Sequence, residues 1–170
     1  MEGVTAGEKG INIITSHRKE VDMLKVNFYE IVEDDLLGFA VIVSKYKNRW
    51  VFCKHRARDT YEVPGGHREE KEEITDTAKR ELFEETGATS YDLHKVCVYS
   101  VVNDDILASG IKESYGMLYY AEIKEFGKLP DLEMERVEFF DVMPENLTYP
   151  LIQPVLMEKV LEFTQNNAIL

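Results

Sequence analysis

The stretch that most constrains this chain runs from Pro64 to Ala88. It opens on Pro64, Gly65 and Gly66 and closes on Glu81, Glu84 and Glu85 just before Gly87. Glycines after a proline signal a loop, because Gly reaches backbone angles that other residues avoid. Thr75 suits an N-cap, Asp76 the first turn, and Gly87 a C-terminal stop. The pattern predicts a loop followed by a helix over residues 75–86. At about 100° per residue, Ala78 and Leu82 form an apolar stripe with Glu85 at its margin and Glu81 beside Glu85.

Carboxylates one turn apart repel each other. A helix whose face is merely solvated gains from placing Lys or Arg at those spacings instead. Acids packed beside a buried stripe call for positive charge. A hard cation such as Mg²⁺ supplies it through carboxylate oxygens, and often shares its shell with substrate phosphate. Glu is also common in helices and in this chain, so the helix alone leaves a solvated acidic face open as the second reading.

The whole stretch is more specific. It matches G-x5-E-x7-R-E-U-x-E-E-x-G-U, with U a bulky aliphatic, at Gly66, Glu72, Arg80, Glu81, Leu82, Glu84, Glu85 and Gly87. With usage of roughly 5–9% per residue type, a chance match falls below about one in a million per start position. The final position carries Ala88 in place of a larger aliphatic residue. In these residues the chain resembles the Nudix hydrolases. Outside them the likeness is one of pattern.

The rest of the chain fits one domain over residues 1–170, with residues 1–10 small, polar and loose. A length of 170 residues suits one substantial core. Hydrophobic content of 44% with 31% charged residues is ordinary for a globular chain. The net charge of −12 argues against non-specific nucleic-acid binding, which needs clustered Lys and Arg. Cys53 and Cys97 lie in apolar, strand-like runs and read as buried thiols with no zinc spacing. No basic-then-apolar leader pattern opens the sequence, and its longest apolar run is far short of a membrane span. A cytoplasmic protein without membrane contact is the expectation.

Strand patterns are read at residues 11–14, 21–32, 36–46, 50–55, 61–63, 91–103, 114–123 and 137–140. A tight turn at Lys47, Asn48 and Arg49 makes a hairpin of the third and fourth. Residues 104–113 and 124–135 read as loops. Apolar residues at 152, 155, 156, 160 and 163 predict a second helix over 150–166, whose true start Pro154 can mark. Strands around one helix, with a second helix closing the chain, predict an α/β fold with helices on both faces of a mixed sheet. The resemblance implies the same, a Nudix α/β/α sandwich.

The resemblance implies more about chemistry. Nudix hydrolases cleave a nucleoside diphosphate linked to another group, with Mg²⁺ or Mn²⁺. Carried over by residue, Glu81, Glu84 and Glu85 would ligate the metal. The carbonyl of Gly65 or Gly66 would complete the shell, and Glu72 would sit nearby. Arg80 would hold the carboxylates in place. The base that takes a proton from water differs among members, some of which use a later loop. Glu133 and Glu135 are the candidates here, with Glu133 preferred. Lys54, Arg56, Arg58, His67 and Arg68 are candidates for substrate phosphate, and each also reads as a plain surface residue. Tyr61 packs near the glycines or stacks on a base.

Extra motifs that mark relatives selective for ADP-ribose, coenzyme A or NADH were not found. By elimination the chain looks most like the MutT-type group, which cleaves nucleoside triphosphates, 8-oxo-dGTP included, to monophosphate and pyrophosphate. Action on ADP-ribose, nucleotide sugars or RNA 5′ ends is the alternative. So is a non-catalytic nucleotide-sensing module, although such modules usually lack one or more of the glutamates. Dimers are common in the family, so a homodimer stands among the expectations, although no stretch points to an interface.

Overall fold

The computed structural model describes residues 24–103 and 112–168. In chain order these form β1 (Leu24–Tyr29), a short 3-10 turn (Asp34–Leu36), β2 (Leu37–Tyr46), β3 (Arg49–His55), β4 (Tyr61–Glu62), β5 (Gly65–His67) and α1 (Ile74–Thr86). They continue with β6 (Ala88–Asn103), β7 (Lys112–Phe126), β8 (Met134–Phe140) and α2 (Gln153–Asn166). The strand expected over 11–14 and the loose end at 1–10 lie outside the described residues, as does most of the loop at 104–113.

β2 organises the sheet. It pairs with β3 through a hairpin, with β5 antiparallel, and with the distant β7 in parallel. The strand order is β1-β6-β7-β2-β3-β4, with β8 on β3, so the sheet is mixed. Lys47 and Asn48 both take positive φ, 49° and 63°. Turns of that kind have the twist that a two-residue hairpin requires.

Alternation along the strands divides the core into two layers. Ala40 and Ile42 of β2, Val51 of β3 and Tyr119, Ala121 and Ile123 of β7 pack with Ile74, Ala78 and Leu82 of α1. Phe39, Val41 and Val43, with Phe52, Leu118 and Tyr120, pack with Leu156, Met157 and Val160 of α2. Each helix therefore covers one face of the mixed sheet, the α/β/α sandwich expected. Among the described residues no helix is long and apolar enough to cross a membrane.

Three local expectations need correction. Helix α1 starts at Ile74 with Glu73 as its cap, and no side chain caps it. Burial of Ile74 at 3% exposure sets that start, while Thr75 turns its Oγ1 to Tyr119 Oη at 3.0 Å. Gly65 and Gly66 form a strand rather than the loop expected: they pair with Val41 and Ala40, and neither has positive φ. The segment over 91–103 is part of one longer strand, β6, with register shifts along it. Other expectations hold. Gly87 ends α1 at φ 73°, its N–H donating to Phe83 O at 2.7 Å, and Pro154 sits in the first turn of α2.

Candidate active site

The C-terminal half of α1 lies against β5, and the contact is made by acids. Ala78 and Leu82 are fully buried, as the wheel predicts. Glu81 is 9% exposed beside them. Burial drives the Glu81 carboxyl upward, against the pull of Arg80. Glu85 Oε2 accepts a hydrogen bond from the Gly65 N–H at 3.0 Å. Burial pushes the Glu85 carboxyl up to about 8, and the negative charges of Glu81, Glu62 and Glu133 add to the rise. The Gly65 N–H opposes it without cancelling it.

The two glycines serve close approach. A Cβ on Gly66 would lie 2.1 Å from Glu81 Oε1. A Cβ on Gly65 would lie 2.7 Å from the Ala40 carbonyl oxygen. Absence of a side chain is what lets Glu81 rest on the strand and lets β5 reach β2.

Arg80 spans the acids. Its Nε lies 2.9 Å from Glu72 Oε1 and its Nη2 lies 3.0 Å from Glu72 Oε2. Its Nη1 reaches Glu81 Oε1 at 2.7 Å and Glu84 Oε2 at 3.4 Å. Nη2 also donates to His67 O at 3.0 Å, which ties helix to strand. Glu72 further accepts from Thr77 Oγ1 at 2.7 Å and from the Glu69 N–H at 3.0 Å. The Arg80 guanidinium, with these donors, holds the Glu72 carboxyl down to about 2.

On the sheet face opposite α1, β5 walls a cavity of about 560 Å³. Phe39, Val41, Tyr99 and Val101 line it, with Gly65, Gly66 and His67 at its edge. The volume lies within the roughly 300–1,000 Å³ of pockets that bury small ligands. Gly65 and Gly66 thus stand between the acidic cluster and the cavity.

Of the substrate candidates, His67 lines this cavity. Lys54, Arg56 and Tyr61 lie outside its lining. Lys54 pairs with Glu135 Oε2 at 2.7 Å, and Arg56 pairs with Asp131 and donates to the Met134 carbonyl. Tyr61 donates to Glu138 Oε2 at 2.8 Å and packs edge-on to Phe140, 5.0 Å between ring centres. Arg58 pairs with Glu62 Oε2 at 2.9 Å. Arg68 pairs with Asp34 at 2.7 Å. Glu133 is exposed, 3.8 Å from His55 Nε2. Glu135 is held by both Lys54 and Arg136, and the Lys54 hydrogen bond draws its carboxyl down.

Two groups at the site escaped the sequence reading. Glu62 is 7% exposed, lines the cavity, and its charge is felt by Glu85. An acid between two apolar residues of a strand, just upstream of Gly65, was the signal. Gln153, at the start of α2, lines the cavity from the other side.

The donor set suits a hard divalent cation in type and charge. Its oxygens come from carboxylates and a backbone carbonyl, and one guanidinium faces several acids. Among the described residues no three acids converge as a coordination shell. Glu81 and Glu84 are turned to Arg80 and Glu85 to Gly65, so their side chains must swing to take up a cation.

Residues 35–154 match the model of the NUDIX domain. Over 108 residues the chain is 31% identical to YtkD of Bacillus subtilis (strain 168), whose name assigns it, provisionally, 8-oxo-dGTP diphosphatase activity. That match covers 63% of this chain and 64% of the relative's length. Among solved structures, a mutant of the Bacillus subtilis pyrophosphohydrolase BsRppH superposes with a TM-score of 0.67 at 24% identity, covering 82% of this chain and 90% of the other. The C. elegans Ap4A hydrolase gives 0.53 at 18% identity, covering 75% and 98%. These structures show the shared fold. With the domain model spanning most of its length, the chain belongs to the Nudix family.

Proposed function

We propose that this chain is a divalent-metal-dependent pyrophosphohydrolase of one domain, cleaving a nucleoside triphosphate, 8-oxo-dGTP included, to monophosphate and pyrophosphate. The observation that carries the reading is the position of Gly65 and Gly66. On one side they touch Glu81 and Glu85, and on the other they wall a cavity sized for a small ligand. The diphosphatase and pyrophosphohydrolase names of the relatives support an anhydride substrate, and YtkD supports the oxidised purine.

Glu81, Glu84 and Glu85 would hold Mg²⁺ or Mn²⁺, with the Gly66 carbonyl and Glu72 beside them. When bound, the ion neutralises phosphate charge and lowers the pKa of its water. The chain's own residues do the rest. Arg80 positions Glu72, Glu81 and Glu84 by the contacts given above. The cavity takes the nucleoside, with His67 at the edge where the phosphate chain passes β5. Glu133 takes the proton from the attacking water. Its neighbour is His55 Nε2 at 3.8 Å, whereas Glu135 is occupied by Lys54 and Arg136, and of the two Glu133 is the one whose charge reaches Glu85.

The test is a panel of nucleoside triphosphates, 8-oxo nucleotides, ADP-ribose, sugar nucleotides and capped RNA, read as kcat/KM with Mg²⁺. Triphosphates should lead, and EDTA should abolish turnover. Hydrolysis that survives complete chelation, or a clear preference for ADP-ribose, would overturn the proposal.

A further inference from the structure

Gln153 is a buried polar group of the cavity lining that nothing described so far employs. It is 3% exposed, at the first residue of α2, and it lines the cavity. Its backbone N–H donates to Tyr149 O at 3.0 Å, which anchors the residue. Its Oε1 is shut off from bulk water and has no hydrogen-bond partner among the described residues. Buried acceptors in folded proteins are almost always satisfied, so such an atom asks for a donor that binds. Gln153 lines the cavity, so a donor carried by a molecule held there reaches Oε1 once the amide turns toward it.

The surroundings narrow that donor. Phe39 and Tyr99 lie edge to face, 5.4 Å between centres, and give the cavity an aromatic floor suited to a flat ring. Glu62, the other buried polar group of the lining, is again an acceptor, and one of its oxygens is already held by Arg58. The Gln153 Oε1 and the second oxygen of Glu62 both accept, and a ring edge that carries an exocyclic amine supplies N–H groups to them. A keto edge does not.

We infer that Gln153 determines base specificity, its Oε1 accepting from the exocyclic amine of a purine seated between α2 and β5. This rests on the cavity being the nucleoside site of the proposed enzyme. It does not rest on hydrolysis.

The test is calorimetric titration of the whole chain in EDTA with GMP, AMP and IMP. IMP lacks the amine that each of the others carries. The protein should bind GMP or AMP at least about tenfold more tightly than IMP, the loss expected when a buried acceptor goes unpaired. Gln153→Leu should remove that gap and should raise the ligand-free Tm, because an unpartnered buried amide is exchanged for an apolar group. Gln153→Glu keeps an acceptor and should keep the gap. A gap that persists in Gln153→Leu overturns the inference, as does equal or absent binding of all three by the unaltered chain. Tight, amine-selective binding without any hydrolysis would instead leave the inference standing and sink the enzymatic proposal.

Discussion

Glu72 and Arg80, eight residues apart, meet fork to fork at 2.9 and 3.0 Å. The pair pins the loop before α1 to the middle of the helix. A lysine keeps the charge but not the fork. Arg80→Lys should therefore lower stability by about 1–2 kcal/mol, with both partners largely shielded from water. Arg80→Ala should lower it further, since Glu72, Glu81 and Glu84 then face one another without relief. Chemical denaturation of the three proteins in EDTA would check the order.

The adjacent glycines should behave differently. In Gly66→Ala the new methyl meets the end of the Glu81 side chain, which can swing away. The expectation is a folded protein with Tm little changed and turnover severely reduced. In Gly65→Ala the methyl meets the Ala40 carbonyl, which cannot move without breaking β2 from β5. That variant should lose Tm as well. Paired melting curves and kcat measurements separate the two outcomes.

Glu84→Gln and Glu85→Gln should each reduce kcat by roughly a hundredfold or more, given that outer partners of metal ligands alone cost about 10–100-fold. Circular dichroism should be unchanged, because Glu84 is partly exposed and Gln preserves the size of Glu85. Full activity in both would remove these residues from the machinery.

Glu85 makes the metal-free protein sensitive to pH. Its carboxyl sits at about 8 in the fold against 4.5 as the ordinary value, chiefly because it is buried. The folded state therefore holds the proton more tightly than the unfolded chain. The contribution is fully present below 4.5 and is lost as pH rises through about 8. In EDTA, the Tm difference between Glu85→Gln and the unaltered chain should widen in favour of Gln as pH rises across that window. Added Mg²⁺ should raise Tm more at the alkaline end than at the acid end. A difference independent of pH would show that Glu85 is not the group responsible.

Much of the fold was legible because it is written in local pattern. The stripe of Ala78 and Leu82, the stop at Gly87 and the β2–β3 hairpin follow from periodicity and turn chemistry alone. β5 was not legible. Gly65, Gly66 and His67 have no strand propensity, and pairing with β2 is imposed by the rest of the fold. The start of α1 was missed by one residue because burial of Ile74 outweighed the capping preference of Thr75.

At the site the split is similar. The acids of α1 and their arginine are close in sequence, so spacing placed them together. Lys54 and Arg56 read as candidates for substrate phosphate, and their ion-pair partners could not be read from their neighbours in sequence. Their partners, Glu135 and Asp131, come from the far side of β7. Glu62 and Gln153 meet at one cavity from distant elements, and no local signal joins them.

The parallel register of β2 on β7 carries a kinetic consequence. Ala40 lies beside Met117 and Val43 beside Tyr120, yet α1 and the whole of β6 come between them in the chain. A nascent polypeptide emerging as far as Gly87 has its acidic helix and hairpin but half of the floor beneath them is missing. Closing so long a loop is entropically slow. Refolding should therefore show early helix and late burial of the central strand, with the cavity beside β5 assembled last.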